Sequence, residues 1–216
     1  MLLSLRVDII VFNQNYTMRS FYLGLLGIFF LCGFTSTFTT TTFHDIRDNN
    51  RYGSITIGDL QIMNTNLQYK TEFSYCYDDL DRYCNHFGNL FDFKTVNDKE
   101  GNIKDDICPK GWSLPSLENW EYLISGMKPT ITRDKNGDLI YFISENYAQL
   151  QFGGFRSHEG AFYFNLGKEG HYMTSTTTDE GWATIRIKRQ GKGYQLTVIK
   201  NTDESRAVSC RCVKIK

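Results

Sequence analysis

Cys108-Pro109-Lys110-Gly111-Trp112-Ser113-Leu114-Pro115-Ser116, running into Leu117-Glu118-Asn119-Trp120-Glu121-Tyr122-Leu123-Ile124, is the stretch whose reading decides the fold. The two prolines hold the backbone extended, and Gly111 lets it bend between them. Ser116 offers a side-chain oxygen to the first free amides of a helix. Leu117, Trp120, Leu123 and Ile124 recur at spacings of three and four, so that helix has one apolar face to bury. Glu118 and Glu121 in the opening turns suit the helix dipole. A cysteine-anchored loop leading into a one-sided helix requires strands on either side to close a core around it.

Downstream, Ile131-Thr132-Arg133 and Leu139 to Ile143 flank Asp134-Lys135-Asn136-Gly137-Asp138. Asp134, Asn136, Asp138 and Glu145 fall where an EF-hand-like loop would place calcium ligands. However, Leu139 stands where such a loop needs glycine, and the flanks are β-branched and aromatic, so an Asn-Gly hairpin turn accounts for the same residues. The rest reads as short strands cut by glycines: Ala148 to Phe152, Ala161 to Leu166, Gly170 to Ser175, Trp182 to Lys188, Tyr194 to Lys200 and Ala207 to Ile215. In the last of these the two-residue period puts Val208, Cys210 and Cys212 on one face, and Ser209, Arg211 and Val213 on the other.

Upstream, Ser54 to Gly58 and Leu60 to Thr65 alternate apolar with polar and meet at Gly58-Asp59, a hairpin signal. A bridge between Cys76 and Cys84 would close a small loop, stabilising it by about 2 to 3 kcal/mol on chain-entropy grounds. Inside that loop Asp78, Asp79 and Asp81 read as a solvated face rather than a metal site. Phe87, Leu90, Phe91, Phe93 and Val96 suggest a short amphipathic helix in spite of Gly88. At the start of the chain, Met18-Arg19-Ser20, the apolar run Phe21 to Phe34 and a Thr/Ser-rich exit have the design of a secretory signal over 18–37. Residues 1–17 read as an upstream extension before the true start, and 38–51 as a flexible leader. Cys32 admits a second reading, lipid attachment, although Leu31 stands where a small residue is wanted.

The chain has 216 residues, 41% of them apolar and 15% aromatic, enough for one sizeable core. Twenty-four basic and 24 acidic residues cancel without a basic cluster, which argues against a nucleic-acid footprint. An export signal makes the downstream cysteines disulfide candidates, and Cys76, Cys84, Cys108, Cys210 and Cys212 leave one over. The four histidines lack metal-site spacing, and Cys210-x-Cys212 lacks the paired knuckles of a zinc site. There is no phosphate loop, dinucleotide fingerprint or nucleophile elbow, so no cofactor and no catalytic residue is assigned.

The run CPKGWSLPSLENWEYLI resembles the CPxGWHLPSxxEWxxL signature of the Fibrobacter succinogenes major paralogous domain. Further similar pieces follow in that family's order: Ile57 to Leu67, Tyr75 to Cys84, Phe87 to Phe91, Gly153 to Arg156, Gly170 to Thr176, and Val208 to Lys214. The resemblance covers about residues 52–216. It implies an α+β, C-type-lectin-like domain of short antiparallel strands, one or two helices and long irregular loops. It also implies pairing of Cys108 with Cys212 and a buried thiol at Cys210, with Cys108 to Cys210 as the alternative. The 108–212 bond would contribute about 4 to 5 kcal/mol by the same chain-entropy reasoning. In such folds binding is carried by irregular loops of the second half, here 153–182 and 189–206, which makes Arg156, His158, His171, Tyr172 and Trp182 the ligand candidates. The function implied is that of an exported bacterial surface or secreted module, non-catalytic, meeting a glycan or protein at the cell surface, with the membrane involved only through a lipid at Cys32. Two other readings stay open: a formylglycine-generating type of enzyme using the C-terminal cysteines, and a variable binding protein diversified by a retroelement.

Overall fold

The structure is a computed structural model. It describes residues 39–96, 107–144, 150–157, 159–203 and 205–215, all within the unit Thr37–Lys216. In chain order the elements are β1 (Thr40–Asp45), β2 (Asn50–Ile57), β3 (Leu60–Met63), β4 (Ser74–Tyr75), α1 (Asp81–Phe87), β5 (Leu90–Phe91), α2 (Leu117–Gly126), β6 (Thr130–Arg133) and β7 (Leu139–Ser144). They continue with β8 (Phe155–Arg156), β9 (Tyr163–Phe164), β10 (Glu169–Thr178), β11 (Gly181–Gln190), β12 (Gly193–Thr202), β13 (Val208–Ser209) and β14 (Val213–Ile215). Among the described residues these form sheets in the orders β1-β2-β3-β14, β4-β5-β13-β10-β11-β12-β7-β6, and β8-β9. The fold is α+β with strands predominating.

The loop before α2 is the junction between the two larger sheets. Ser113 and Val213 exchange both backbone hydrogen bonds, at 2.8 and 2.9 Å, which ties the loop to β14. Two residues on, Pro115 O accepts from Ser175 N at 2.9 Å, and Leu117 N donates to Thr176 Oγ1 at 2.9 Å, which ties it to β10. Ser116 Oγ accepts from Asn119 N, and Asn119 Oδ1 accepts in return from Ser116 N, closing a capping box. Trp120, Leu123 and Ile124 are buried against Ile57, Tyr172, Ile185 and Leu196. Each aliphatic side chain fully withdrawn from water here stabilises the fold by about 1.5 to 3 kcal/mol. A second cluster, on the other side of the loop, stacks Trp112 on Phe43 at 4.3 Å and Trp182 on Phe93 at 4.4 Å.

The closing segment, expected as one strand, divides in two. β13 runs parallel to β10 and antiparallel to β5, whereas β14 runs antiparallel to β3. Residues 210–212 carry the chain from one sheet to the other: Cys210 O accepts from Leu67 N at 2.8 Å, and Cys212 O from Met63 N at 3.0 Å. Cys212 is bonded to Cys108 (Cα–Cα 5.8 Å) and Cys76 to Cys84 (Cα–Cα 5.0 Å), so two disulfides stabilise the domain. Cys210 keeps a free thiol with no exposure.

Other expectations are revised. Residues 40–51 are not a flexible leader: β1 pairs with β2 from Thr40↔Ile55 to Asp45↔Asn50, and Phe43 brings apolar area to Trp112. No helix spans 87–96. α1 ends at Phe87 because Gly88 takes φ +78°, where a Cβ would lie 2.5 Å from Asn66 Cβ, and Leu90–Phe91 then pairs with both β4 and β13. Leu150–Phe152 has no strand, and the remainder of that expected strand falls outside the described residues. The signal segment 18–37, Cys32, residues 1–17 and His158 fall outside them as well. Among the described residues no helix is long and apolar enough to cross a membrane.

Candidate functional site

The Cys76–Cys84 bridge shapes a polar cleft of about 460 Å³, lined by Gln68, Tyr75, Asp79, Asp81, Asn85 and Asn89, with Lys70 and Ser74 at its edge. Its wall is built locally. Between β4 and α1, Tyr77–Asp79 makes a single tight helical turn in which Asp78 and Asp79 both take positive φ, at 53° and 55°, a conformation that aspartate tolerates better than most residues. The disulfide then clamps that turn onto α1, holding the two ends of the wall together.

The β8–β9 hairpin packs behind Tyr75 and Asp79, two of the residues that line the cleft. Register sets Arg156 opposite Tyr163 and Phe155 opposite Phe164, so the hairpin has two distinct faces. On the face toward Tyr75 the Arg156 guanidinium lies 4.1 Å from the Tyr75 ring centroid and 5.9 Å from that of Tyr163. Tyr163 packs on Tyr77 at 5.1 Å and donates its hydroxyl to Asp79 Oδ1 at 2.5 Å. Burial, and then the Asp79 carboxylate, push the Tyr163 phenol up to about 12, so it remains a donor. Burial likewise raises Tyr75, whose hydroxyl reaches toward Asp92. Arg156 Nε is buried without a partner. Gly154, at φ +66°, admits the hairpin's return strand: a Cβ there would meet Phe164 O at 2.1 Å.

The five expected ligand residues separate. Arg156 packs on the Tyr75 ring and supports the cleft without lining it. His171 is on the other face of the hairpin, 3% exposed, packed on Phe155 at 4.7 Å with Nε2 toward Glu169 Oε2 at 3.1 Å. Burial holds its pKa down to about 4, so the ring is neutral at pH 7. Tyr172 and Trp182 are core residues rather than ligand residues. Tyr172 has no exposure, gives its hydroxyl to Gln151 O at 2.8 Å and packs on Trp120, whereas Trp182 is 6% exposed against Phe93. The sequence reading missed Tyr75, Tyr77, Tyr163 and Asp79. Their signal was the concentration of tyrosines around a short cysteine loop.

The weak calcium candidates form a hairpin turn. Asp134 Oδ1 accepts from Asn136 N and Asp138 N, at 2.8 and 3.0 Å, and so caps its own loop between β6 and β7; Glu145 falls outside the described residues. The sulfurs of Cys108, Cys210 and Cys212 lie within 4.8 Å of one another, but the disulfide leaves one thiol where a metal would need three. Desolvation pushes that Cys210 thiol up to about 12, which keeps it protonated and poorly nucleophilic.

The cleft as a whole offers one aromatic ring, amides, carboxylates and an ammonium group. That inventory suits a ligand dense in hydroxyls, with apolar C–H faces between them. Comparison with family models, with curated proteins and with solved structures gives no match for this chain.

Proposed function

We propose that this is an exported, non-catalytic recognition module of the C-type-lectin-like kind, related to the Fibrobacter succinogenes major paralogous domain and binding a glycan at the cell surface. The observation that carries the reading is the cleft, which Asp79, Asp81, Gln68, Asn85 and Asn89 line together with Tyr75 beside a disulfide clamp. Side chains of this type hydrogen-bond sugar hydroxyls while the ring takes the sugar's C–H face. The ordered series of motifs around the Cys108–Ser116 loop supports the architecture, and the signal-like segment 18–37 supports export. The unreactive setting of Cys210 and the bonded state of Cys212 weigh against thiol catalysis. The test is a glycan array probed with the purified protein beside its Tyr75→Ala and Asn85→Ala variants. Sugar binding lost in both variants, with unchanged circular dichroism, supports the reading. Binding that survives both, or turnover of a substrate by Cys210, overturns it.

A further inference from the structure

The face of the β8–β9 hairpin turned away from the cleft carries a second arrangement. Phe164 stacks on Phe155 at 5.3 Å, Phe155 packs on His171, and the Arg206 guanidinium lies 4.7 Å from the Phe155 centroid. Across the strand pair Arg186 of β11 is the register partner of His171, with its Nε donating to Thr197 Oγ1 at 3.2 Å. Neither arginine has a carboxylate partner among the described residues. Glu169 is already engaged, accepting at Oε2 from Asn165 Nδ2 and facing His171 Nε2. His171 is 97% withdrawn from solvent by its 3% exposure, and its Nδ1 has no partner.

With Nε2–H directed to Glu169, Nδ1 of the neutral ring is a bare lone pair, and both Arg186, its cross-strand register partner, and Arg206, on the Phe155 ring that packs on His171, act against its protonation. Once protonated, it becomes a third cationic donor on the same face of the hairpin. A bound anion would give all three a common acceptor and cancel the repulsion between them. We propose that Arg186, Arg206 and His171 bind the sulfate or carboxylate group of an acidic polysaccharide, with a sugar ring lying on the exposed side of Phe164. The guanidinium fork matches the planar or tetrahedral oxygens of such groups, and Phe164, 42% exposed, presents a flat apolar surface beside them. This site uses residues distinct from those of the cleft and stands independently of the reading given there.

The arrangement also sets a pH dependence. Glu169 on the same strand favours the charged ring, whereas Arg186 from β11 and Arg206 from the segment just before β13 oppose it, and Phe155 contributes no charge. Neutralising the two arginines with an anion favours proton uptake at His171, so affinity rises as pH falls.

The experiment is titration of the full-length protein with sulfated dextran oligosaccharides, with neutral dextran of equal length and with a single-stranded oligonucleotide, at pH 7.5 and 5.5 in about 0.1 M salt. Sulfated dextran should bind saturably and neutral dextran should not. Arg186→Gln and Arg206→Gln should each weaken binding by about fivefold or more. His171→Gln should flatten the gain in affinity between pH 7.5 and 5.5. Arg206 is only half-buried, so its variant tests the site even if the His171 substitution perturbs folding. Absence of saturable binding, wild-type affinity in both arginine variants, or an oligonucleotide bound as tightly as the sulfated sugar would overturn the proposal. Asn85→Ala reads the cleft alone, so failure of one site is distinguishable from failure of the other.

Discussion

His171 shows how strongly a single position can be governed by what covers it. Desolvation sets its pKa at about 4, well under the 6.5 of an exposed imidazole. Between those two values the unfolded chain takes up a proton that the folded chain refuses. Stability is therefore full above about pH 6.5 and falls as pH drops through the window, by roughly 3 kcal/mol at pH 4. Urea unfolding of the native protein and of His171→Gln at pH 7 and at pH 4.5 measures this. The gap between the two curves should shift in favour of the variant on acidification, and parallel behaviour would contradict it. Cys210 is the same lesson in sulfur: fully buried, with its thiol pushed up to about 12, it should resist iodoacetamide at pH 8 in the folded protein and react once the chain is denatured. Mass spectrometry of the peptide containing Cys210 decides the matter.

Elements differ in how much of their structure is local, and that determines what could be read in advance. The α2 helix is specified by neighbours: the Ser116–Asn119 capping box and a three-and-four spacing of Trp120, Leu123 and Ile124. Ser116→Ala should therefore cost about 1 kcal/mol in denaturant unfolding, and Asn119→Ala added to it should cost little more, because the two side chains form one reciprocal unit. Additive losses would show that they act separately. The β2–β3 turn and the Asp134–Asp138 hairpin were legible for the same local reason. The cleft was not. β4, β8 and β9 are two residues long and carry no periodicity, and the contact between Arg156 and Tyr75 exists only because the hairpin folds back over a distant strand. Leu90 and Phe91 misled because both are fully buried from opposite sides, which imitates a helical face in a glycine-flanked run. Trp182 and Tyr172, aromatic residues near loops, looked like ligand residues until the core closed over them.

At the scale of the molecule, the two larger sheets are joined by the segment 210–212 and by the loop that begins at Cys108, and one covalent bond fastens these two connections to each other. That bond spans a sequence separation of 104, against 8 for Cys76–Cys84. The entropy removed from the unfolded chain grows with the logarithm of loop length, so the long bridge contributes about 4 to 5 kcal/mol and the short one about 2 to 3. The two bonds should also fail differently. Cys108→Ser with Cys212→Ser frees the junction that positions both sheets, and the added hydroxyls are left in a buried site. It should lower the unfolding midpoint most and speed hydrogen exchange in β3, β14 and the residues around Ser113 together. Cys76→Ser with Cys84→Ser releases only the cleft wall. It should leave exchange in β10–β12 unchanged while weakening glycan binding in the cleft, with acidic-sugar binding on the opposite face of the hairpin retained. Hydrogen exchange on both variants, read beside the two binding assays, tests the division: equal loss of protection across the sheets in the short-bridge variant would mean that the cleft is not the separable, disulfide-held unit its geometry indicates.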